Sequence, residues 1–467
     1  GTRLVRTFFI LILVSVLNCA TTHSEKMKGV EEALYAGDYE AALPKMRSLV
    51  SGASSRDKLL YLMEAGVVLH TKGDYKASNK AFQDAEALAD TAKTSVTGET
   101  LAFLLSDDKN SFRGESFENV MIKMYIALNY LCLNELENAK RYFKKVSFEQ
   151  KEMKFSEAKY RQNLLARYLD ALASEHLGQF NDARVEYKNI LEIEPGFKEV
   201  LADRYVLAMK EKDGADQSKF GEGKNYIDSY DKDMKKISYD SRMGELIVIN
   251  QAGKAAVKES RGKLMDDPNI REPLSAAIEG SLRSNSTEGI DLGIVLATLS
   301  SAEHPIPEYR DRDAQTGSEV KILINGKEAG KTRKLADYSG MAKSSFNDNL
   351  NSIITKNIAS IATKAVTVAI AAQAAKKAAE GSGKDRNELL GSVVGWVFSA
   401  IGGYGMAQTL APDLRCWRTS PSNFQAKRIF LEPGDYTISF EGQGKTPDPI
   451  NIKIESGKPL FITFRSL

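Results

Sequence analysis

The chain has 467 residues, with 64 basic and 62 acidic side chains, a formal net charge of +2, and 42% hydrophobic residues. That size allows two to four domains with real cores, and the balanced charge excludes the basic excess that nucleic-acid binding calls for. Three cysteines (Cys19, Cys132, Cys416) are too few for a disulfide framework. Four scattered histidines (His23, His70, His176, His304) share no metal-ligand spacing, so no metal and no cofactor is expected.

At the N-terminus, Arg3 and Arg6 precede the apolar run Phe8-Phe9-Ile10-Leu11-Ile12-Leu13-Val14, and Val16-Leu17-Asn18-Cys19 follows. A basic flank, a short apolar core and a cleavage region make a secretory signal, and about ten apolar residues are too few to span a bilayer, which needs roughly 20. The segment resembles a bacterial lipobox with Cys19 as the lipidated residue, although Asn18 stands where Gly, Ala or Ser is usual. The expected layout is a signal peptide over 1–18, a lipidated tether over 19–26 and folded chain from 27. With Ala20 rather than Asp after the cysteine, sorting by the enterobacterial rule favours the periplasmic face of the outer membrane.

Residues 27–211 carry apolar side chains at three- and four-residue spacing, the pattern of amphipathic helices, and they repeat. Gly37-Asp38-Tyr39-Glu40-Ala41-Ala42 is echoed by Gly73-Asp74-Tyr75-Lys76-Ala77, by Asn134-Glu135-Leu136-Glu137-Asn138-Ala139 and by Gly178-Gln179-Phe180-Asn181-Asp182-Ala183. Phe82, Phe143 and Tyr187 follow one turn further on, and Pro195 closes the last unit. These residues resemble the tetratricopeptide repeat: a glycine turn, a small residue where two helices cross, an aromatic filling the gap. The resemblance implies stacked helical hairpins and a concave face that holds peptides or partner proteins. Cys132 sits in an apolar helix, where a buried thiol is expected.

Residues 212–243, rich in Gly, Asp, Lys and Ser, read as a linker. Beyond them, 245–249, 320–324, 427–431, 436–440, 450–454 and 460–464 are strands by alternation and β-branched content. The reading is a β-rich region over 244–339, an Ala/Gly-rich helical insertion over 340–411, and an antiparallel meander of the last four strands over 412–467. Leu390–Leu410 is apolar, and packing against the Ala-rich helix is favoured over membrane contact because glycines interrupt it. The fold class is therefore multidomain α+β, a tetratricopeptide-like solenoid followed by an antiparallel β-rich domain with a helical insertion.

No catalytic residue is identified. Asn325-Gly326-Lys327-Glu328-Ala329-Gly330-Lys331-Thr332 misses the phosphate-loop spacing by one residue and reads as a β-turn. His304 is an isolated loop histidine, and no nucleophile elbow is present.

Further runs resemble an uncharacterised family of bacterial lipoproteins with tetratricopeptide-like repeats. They are Phe112-Arg113-Gly114-Glu115-Ser116-Phe117-Glu118, Gly244-Glu245-Leu246-Ile247-Val248, and Arg415-Cys416-Trp417-Arg418-Thr419-Ser420-Pro421 leading into Leu431-Glu432-Pro433-Gly434, with Cys416 where Ser is expected. The resemblance implies a cell-envelope role, since such proteins tend to be encoded near lipoproteins that activate peptidoglycan synthases. The expected function is a non-enzymatic scaffold that binds envelope proteins through its repeats. The alternative is a structural subunit of a multi-copy envelope or secretion assembly, with homo-oligomers as one outcome.

Overall fold

The computed structural model describes residues 22–98, 111–153, 155–284, 290, 292–300, 302–312, 318–380 and 411–467. Cys19, the signal segment and Leu390–Leu410 therefore lie outside the described residues. The chain forms two compact units, one of residues 1–114 with 417–420 and the other of residues 115–416 with 421–467. The helical run expected over 27–211 is thus shared between the two.

The first unit holds α1 (His23–Ala36), α2 (Tyr39–Ser51), α3 (Lys58–Lys72) and α4 (Tyr75–Gly98). Helix α1 starts four residues before the expected domain boundary because Thr22 and Glu25 form a capping box: Glu25 N–H donates to Thr22 Oγ1, and Thr22 N–H donates to Glu25 Oε2 at 2.7 Å. Met27, Val30, Leu34, Ala42, Met46, Tyr61 and Val68 pack together as the core of this unit.

The second unit begins with three helical layers: α5 (Ser116–Cys132) with α6 (Leu136–Glu152), α7 (Leu164–His176) with α8 (Phe180–Ile193), and α9 (Lys198–Glu211) followed by the short α10 (Gly214–Lys219). Residues 212–243 are not a loose linker. They hold α10, a 3-10 turn and β1 (Ser229–Tyr230), and Ile227 and Met234 are buried. Ile227 packs with Val206, Met243 and Phe430, which explains how a segment of polar composition is fixed: few apolar residues suffice when each is buried.

The strands form two main sheets. One joins β1 to β8 (Asn423–Leu431), β8 to β2 (Gly244–Ala252) and β2 to β11 (Pro459–Ser466), with β7 (Arg333–Asp337) also paired to β8. The other has the order β10 (Ile450–Ile454), β9 (Gly434–Glu441), β5 (Lys321–Ile324), β6 (Lys327–Lys331). The last four strands are accordingly not one meander. Strand β8 pairs antiparallel with β2, β9 crosses to the second sheet, and β11 returns to run parallel to β2, Leu460 opposite Leu246 and Phe464 opposite Asn250. Leu246, Val248, Ile322, Ile438, Ile429 and Phe440 join the two sheets in a sandwich core. Every residue of β2 is buried, because helices cover the face that the second sheet does not: Tyr125 of α5 donates to Gln251 and stacks edge-on against Phe424. Strand β9, in contrast, keeps the alternation of a half-wet sheet.

The region read as β-rich also contains α11 (Pro268–Ser284) and α12 (Leu292–Leu299), and the helical insertion contains α13 (Tyr338–Glu380). Ile270, Leu274 and Ile278 of α11 pack with Leu299 of α12 and with Ile361, Ala365 and Ala369 of α13 in a core of their own. The stretch Tyr338–Ala371 is long and apolar enough to cross a membrane, with mean hydropathy 1.3. A pair of short strands, β3 (Val257–Glu259) and β4 (Glu308–Arg310), completes the unit.

Candidate protein-interaction site

The repeat residues sit where hairpin packing needs them. Gly37, Gly73 and Gly178 have φ of 76°, 92° and 72°, the left-handed region that a glycine enters without strain. Asn134 takes the same place at φ 59°. After two of these turns an aspartate caps the next helix, Asp38 accepting from Ala41 N–H and Asp74 from Ala77 N–H. Ala42, Phe82, Ala139, Phe143, Ala183 and Tyr187 are fully buried, Tyr39 and Tyr75 half-buried, and Pro195 lies exposed in the turn before α9. Gly66 was missed in the sequence: a Cβ there would stand 2.5 Å from the Phe82 ring, so the aromatic fills the space that the missing side chain leaves. A glycine inside an apolar helix costs ~1 kcal/mol against Ala, and that oddity was the available signal.

The most specific feature of the first unit is what its helices hold. Residues Trp417–Ser420 belong to it, far away in sequence. Glu64, in the middle of the apolar α3, is fully buried. Its Oε1 accepts from Arg418 N–H at 2.8 Å, its Oε2 accepts from Thr419 N–H at 2.9 Å and from Thr419 Oγ1 at 2.6 Å, and His23 Nε2 stands 3.2 Å from Oε1. Burial alone would push the Glu64 carboxyl up, but His23, Thr419 and the Arg418 amide outweigh it and hold it below the usual value. From α1, Tyr35 OH donates to Arg418 O at 3.0 Å, and Glu31 accepts from Arg418 Nε at 2.8 Å. From α4, Phe82 lies 5.8 Å from the Trp417 ring, which is itself buried. This is the chemistry of peptide recognition: a carboxylate reading two backbone amides, a second carboxylate reading a guanidinium and an aromatic floor under a tryptophan.

The second unit buries a charge cluster between its helices and its sheet. Arg428 of β8 donates to Glu175 of α7, to Glu245 of β2 and to Asp203 of α9, over 2.6 to 3.3 Å. Lys210 of α9 reaches Glu175 at 2.6 Å and Glu245 at 2.8 Å, and His176 lies 2.8 Å from Glu245. Burial raises Glu175, but Arg428 and Lys210 bring its carboxyl down to about 2. For Asp203 burial is the largest influence, Arg428 opposing it and Glu175 adding to it, and its carboxyl rises to about 6. Two open cavities of this unit lie away from the cluster residues. A cavity of about 220 Å³ is lined by Gln150, Tyr160, Asn163, Lys334 and Asp337 among others, and one of about 380 Å³ lies beside Thr437 and Asn451. His304 is buried, its Nδ1 2.9 Å from Ile306 O and its Nε2 3.2 Å from Asp267. Asn325 and Gly326, with φ of 49° and 76°, make the tight turn between β5 and β6 that the near-miss phosphate loop was read as. Cys132 is half-buried and Cys416 buried, and neither forms a disulfide.

No family model matches the sequence, and no curated protein matches it. Among solved structures, the chain is similar to a tetratricopeptide repeat protein from Parabacteroides merdae ATCC 43184, at 15% identity and a TM-score of 0.31, over 44% of this chain and 64% of that one. It is similar to MamA at 11% identity and a TM-score of 0.30, over 42% of this chain and 91% of the other. A Podosopora anserina putative kinesin light chain with nearly identical TPR-like repeats shares 13% identity over 42% and 90%, with a TM-score of 0.32. The helical hairpins are tetratricopeptide-like repeats. That assignment rests on the turn glycines and buried alanine–aromatic pairs described above, and it makes the fold class α+β with the helical repeats first.

Proposed function

We propose that this protein is a lipid-anchored scaffold of the bacterial cell envelope that holds partner proteins through its helical repeats and catalyses no reaction. The observation that supports the scaffold reading is the clasp in the first unit, where repeat helices hold three residues of the chain's own segment Trp417–Thr419 through backbone and side-chain groups. The anchor rests on the signal-like segment ending at Cys19 and on the polar residues after it. A diacylated, N-acylated cysteine carries more than one chain, and at about 0.8 kcal/mol per buried methylene it holds a protein stably on a membrane. The periplasmic face of the outer membrane, with a role in peptidoglycan or outer-membrane assembly, is the setting we favour.

Photo-crosslinking in intact cells tests the scaffold reading, with the reactive group placed on exposed positions of α1 and α4. Discrete crosslinked envelope proteins are expected, and their absence with the protein at normal abundance sinks it. The anchor is tested separately by mass spectrometry of the mature chain: an acylated N-terminal Cys19 is expected, and a peptide running intact through Asn18-Cys19 refutes it.

A further inference from the structure

We propose that the first unit is a peptide receptor specific for an aromatic–Arg–Thr sequence. Trp417-Arg418-Thr419 is its resident ligand, and a partner protein's exposed segment of the same chemistry is the ligand it exchanges for. This deepens the scaffold reading above and rests on it.

Glu64 carries the argument. It is the one acidic residue in the buried stretch Leu59–Val68 of α3, and it is completely enclosed. A carboxylate buried without hydrogen bonds is strongly disfavoured, and three of the donors that reach Glu64 come from the held segment: the amides of Arg418 and Thr419 and the Thr419 hydroxyl. A hairpin that needed only to pack would place an apolar residue there. The remaining groups read side chains in order along the segment. Phe82 meets the tryptophan, Glu31 takes the guanidinium, Tyr35 donates to the carbonyl of Arg418, and Gly66 makes room for the Phe82 ring. These contacts engage the backbone of Arg418 and Thr419 and the aromatic, basic and hydroxyl side chains of Trp417, Arg418 and Thr419. Any exposed segment with that order satisfies the same groups.

The resident segment is part of the same chain, so it competes at an effective concentration on the order of millimolar. If the free peptide binds the empty site with Kd on the order of 10 µM, the resident copy weakens apparent binding by roughly 100-fold.

The test uses the full chain and a fluorescent synthetic peptide spanning residues 415–421 with serine at the cysteine position. Wild type is compared with a variant whose resident segment has lost its donors to Glu64 and its ring, Trp417→Ala with Arg418→Pro and Thr419→Pro, since proline carries no N–H. The peptide is expected to bind this variant roughly 100-fold tighter than wild type, and Glu64→Gln added to the same variant is expected to abolish the gain. Absence of peptide binding to the folded variant overturns the proposal. Should the variant fail to fold, the Trp396→Phe chain, in which Trp417 is the remaining tryptophan, serves instead. Unlabelled peptide with phenylalanine at the tryptophan position, at several millimolar, is expected to shift Trp417 emission to the red by displacing it, and an unchanged spectrum overturns the proposal. Crosslinked partners found in cells alongside a failed peptide assay would leave the scaffold reading standing and remove this one.

Discussion

Arg428→Met is the sharpest probe of the second unit. The guanidinium, 2% exposed, makes hydrogen bonds to three carboxylates that are themselves 0 to 4% exposed. Methionine keeps the length and apolar stem but removes every donor, leaving Glu175, Glu245 and Asp203 with Lys210 and His176. Breaking a buried pair by deleting one partner costs about 3–5 kcal/mol, because the other partner stays buried and charged. With two carboxylates left short of donors, the upper part of that range is expected. For a body of this size about 1 kcal/mol moves a melting transition by about 2–4 °C, so circular dichroism at pH 7.5 is expected to show a drop of roughly 10–20 °C. Removing one stranded charge in the same background, Arg428→Met with Glu175→Gln, is expected to recover part of the loss, since the two sites are coupled. A shift below about 2 °C for Arg428→Met would mean that the carboxylates find water or protons at little cost, and the account of this cluster as the fastener between sheet and helices would be wrong.

Three other outcomes follow from the same geometry. Asp203 is raised from 3.8 to about 6, so its contribution to stability is present below pH 3.8 and is lost as pH rises through about 6. Asp203→Asn is expected to flatten that dependence; parallel urea midpoints for the two proteins between pH 4 and 8 would disprove it. Glu64 is shifted the other way, so its contribution is present above pH 4.5 and is lost as pH falls through its lowered value. In the Trp396→Phe chain, acid titration is expected to expose Trp417 below pH 4.5, read as a red shift in emission, and the shift should move to higher pH in Glu31→Gln only slightly, since Glu31 binds the side chain and not the amides. Gly66→Ala places a Cβ against the Phe82 ring and is expected to destabilise by about 1–3 kcal/mol, with Phe82→Leu restoring part of it; an unchanged melt in Gly66→Ala would show that the ring has room to move.

The repeats were legible because their signals are local. A turn glycine, an alanine four or five residues on and an aromatic a turn later recur within each hairpin, and helical periodicity reports one buried face. Sheet partners were not legible, because strand alternation identifies a strand without naming its neighbour. Leu460 and Leu246 pair in parallel across more than two hundred residues, and the adjacent strands β8 and β9 lie in different sheets despite the short Pro433-Gly434 turn. Residues 212–243 misled by composition, since Ile227 and Met234 are buried among polar neighbours. The buried place of Arg428 was not legible either, because alternation in a strand does not say what covers each face, and helices cover the face of β8 that carries Arg428.

The two buried acidic sites show how burial of charge can serve different ends. Glu175 and Glu245 are neutralised by Arg428 and Lys210, long side chains fixed on the elements that build the second unit. Opening that cluster means separating two strands from two helices, so it acts as a permanent fastener. Glu64 is satisfied mainly by two amides and a threonine hydroxyl on one short segment, groups that another segment with a threonine at that place also carries. Its partners can be replaced in kind without unfolding a helix, and the cost of a vacant site, one enclosed carboxylate without its donors, ensures that some segment is always preferred there over none. A site that penalises vacancy while accepting a substitute favours exchange of one peptide for another over simple release, which is the behaviour a scaffold needs if its binding face is to stay closed until the right partner arrives.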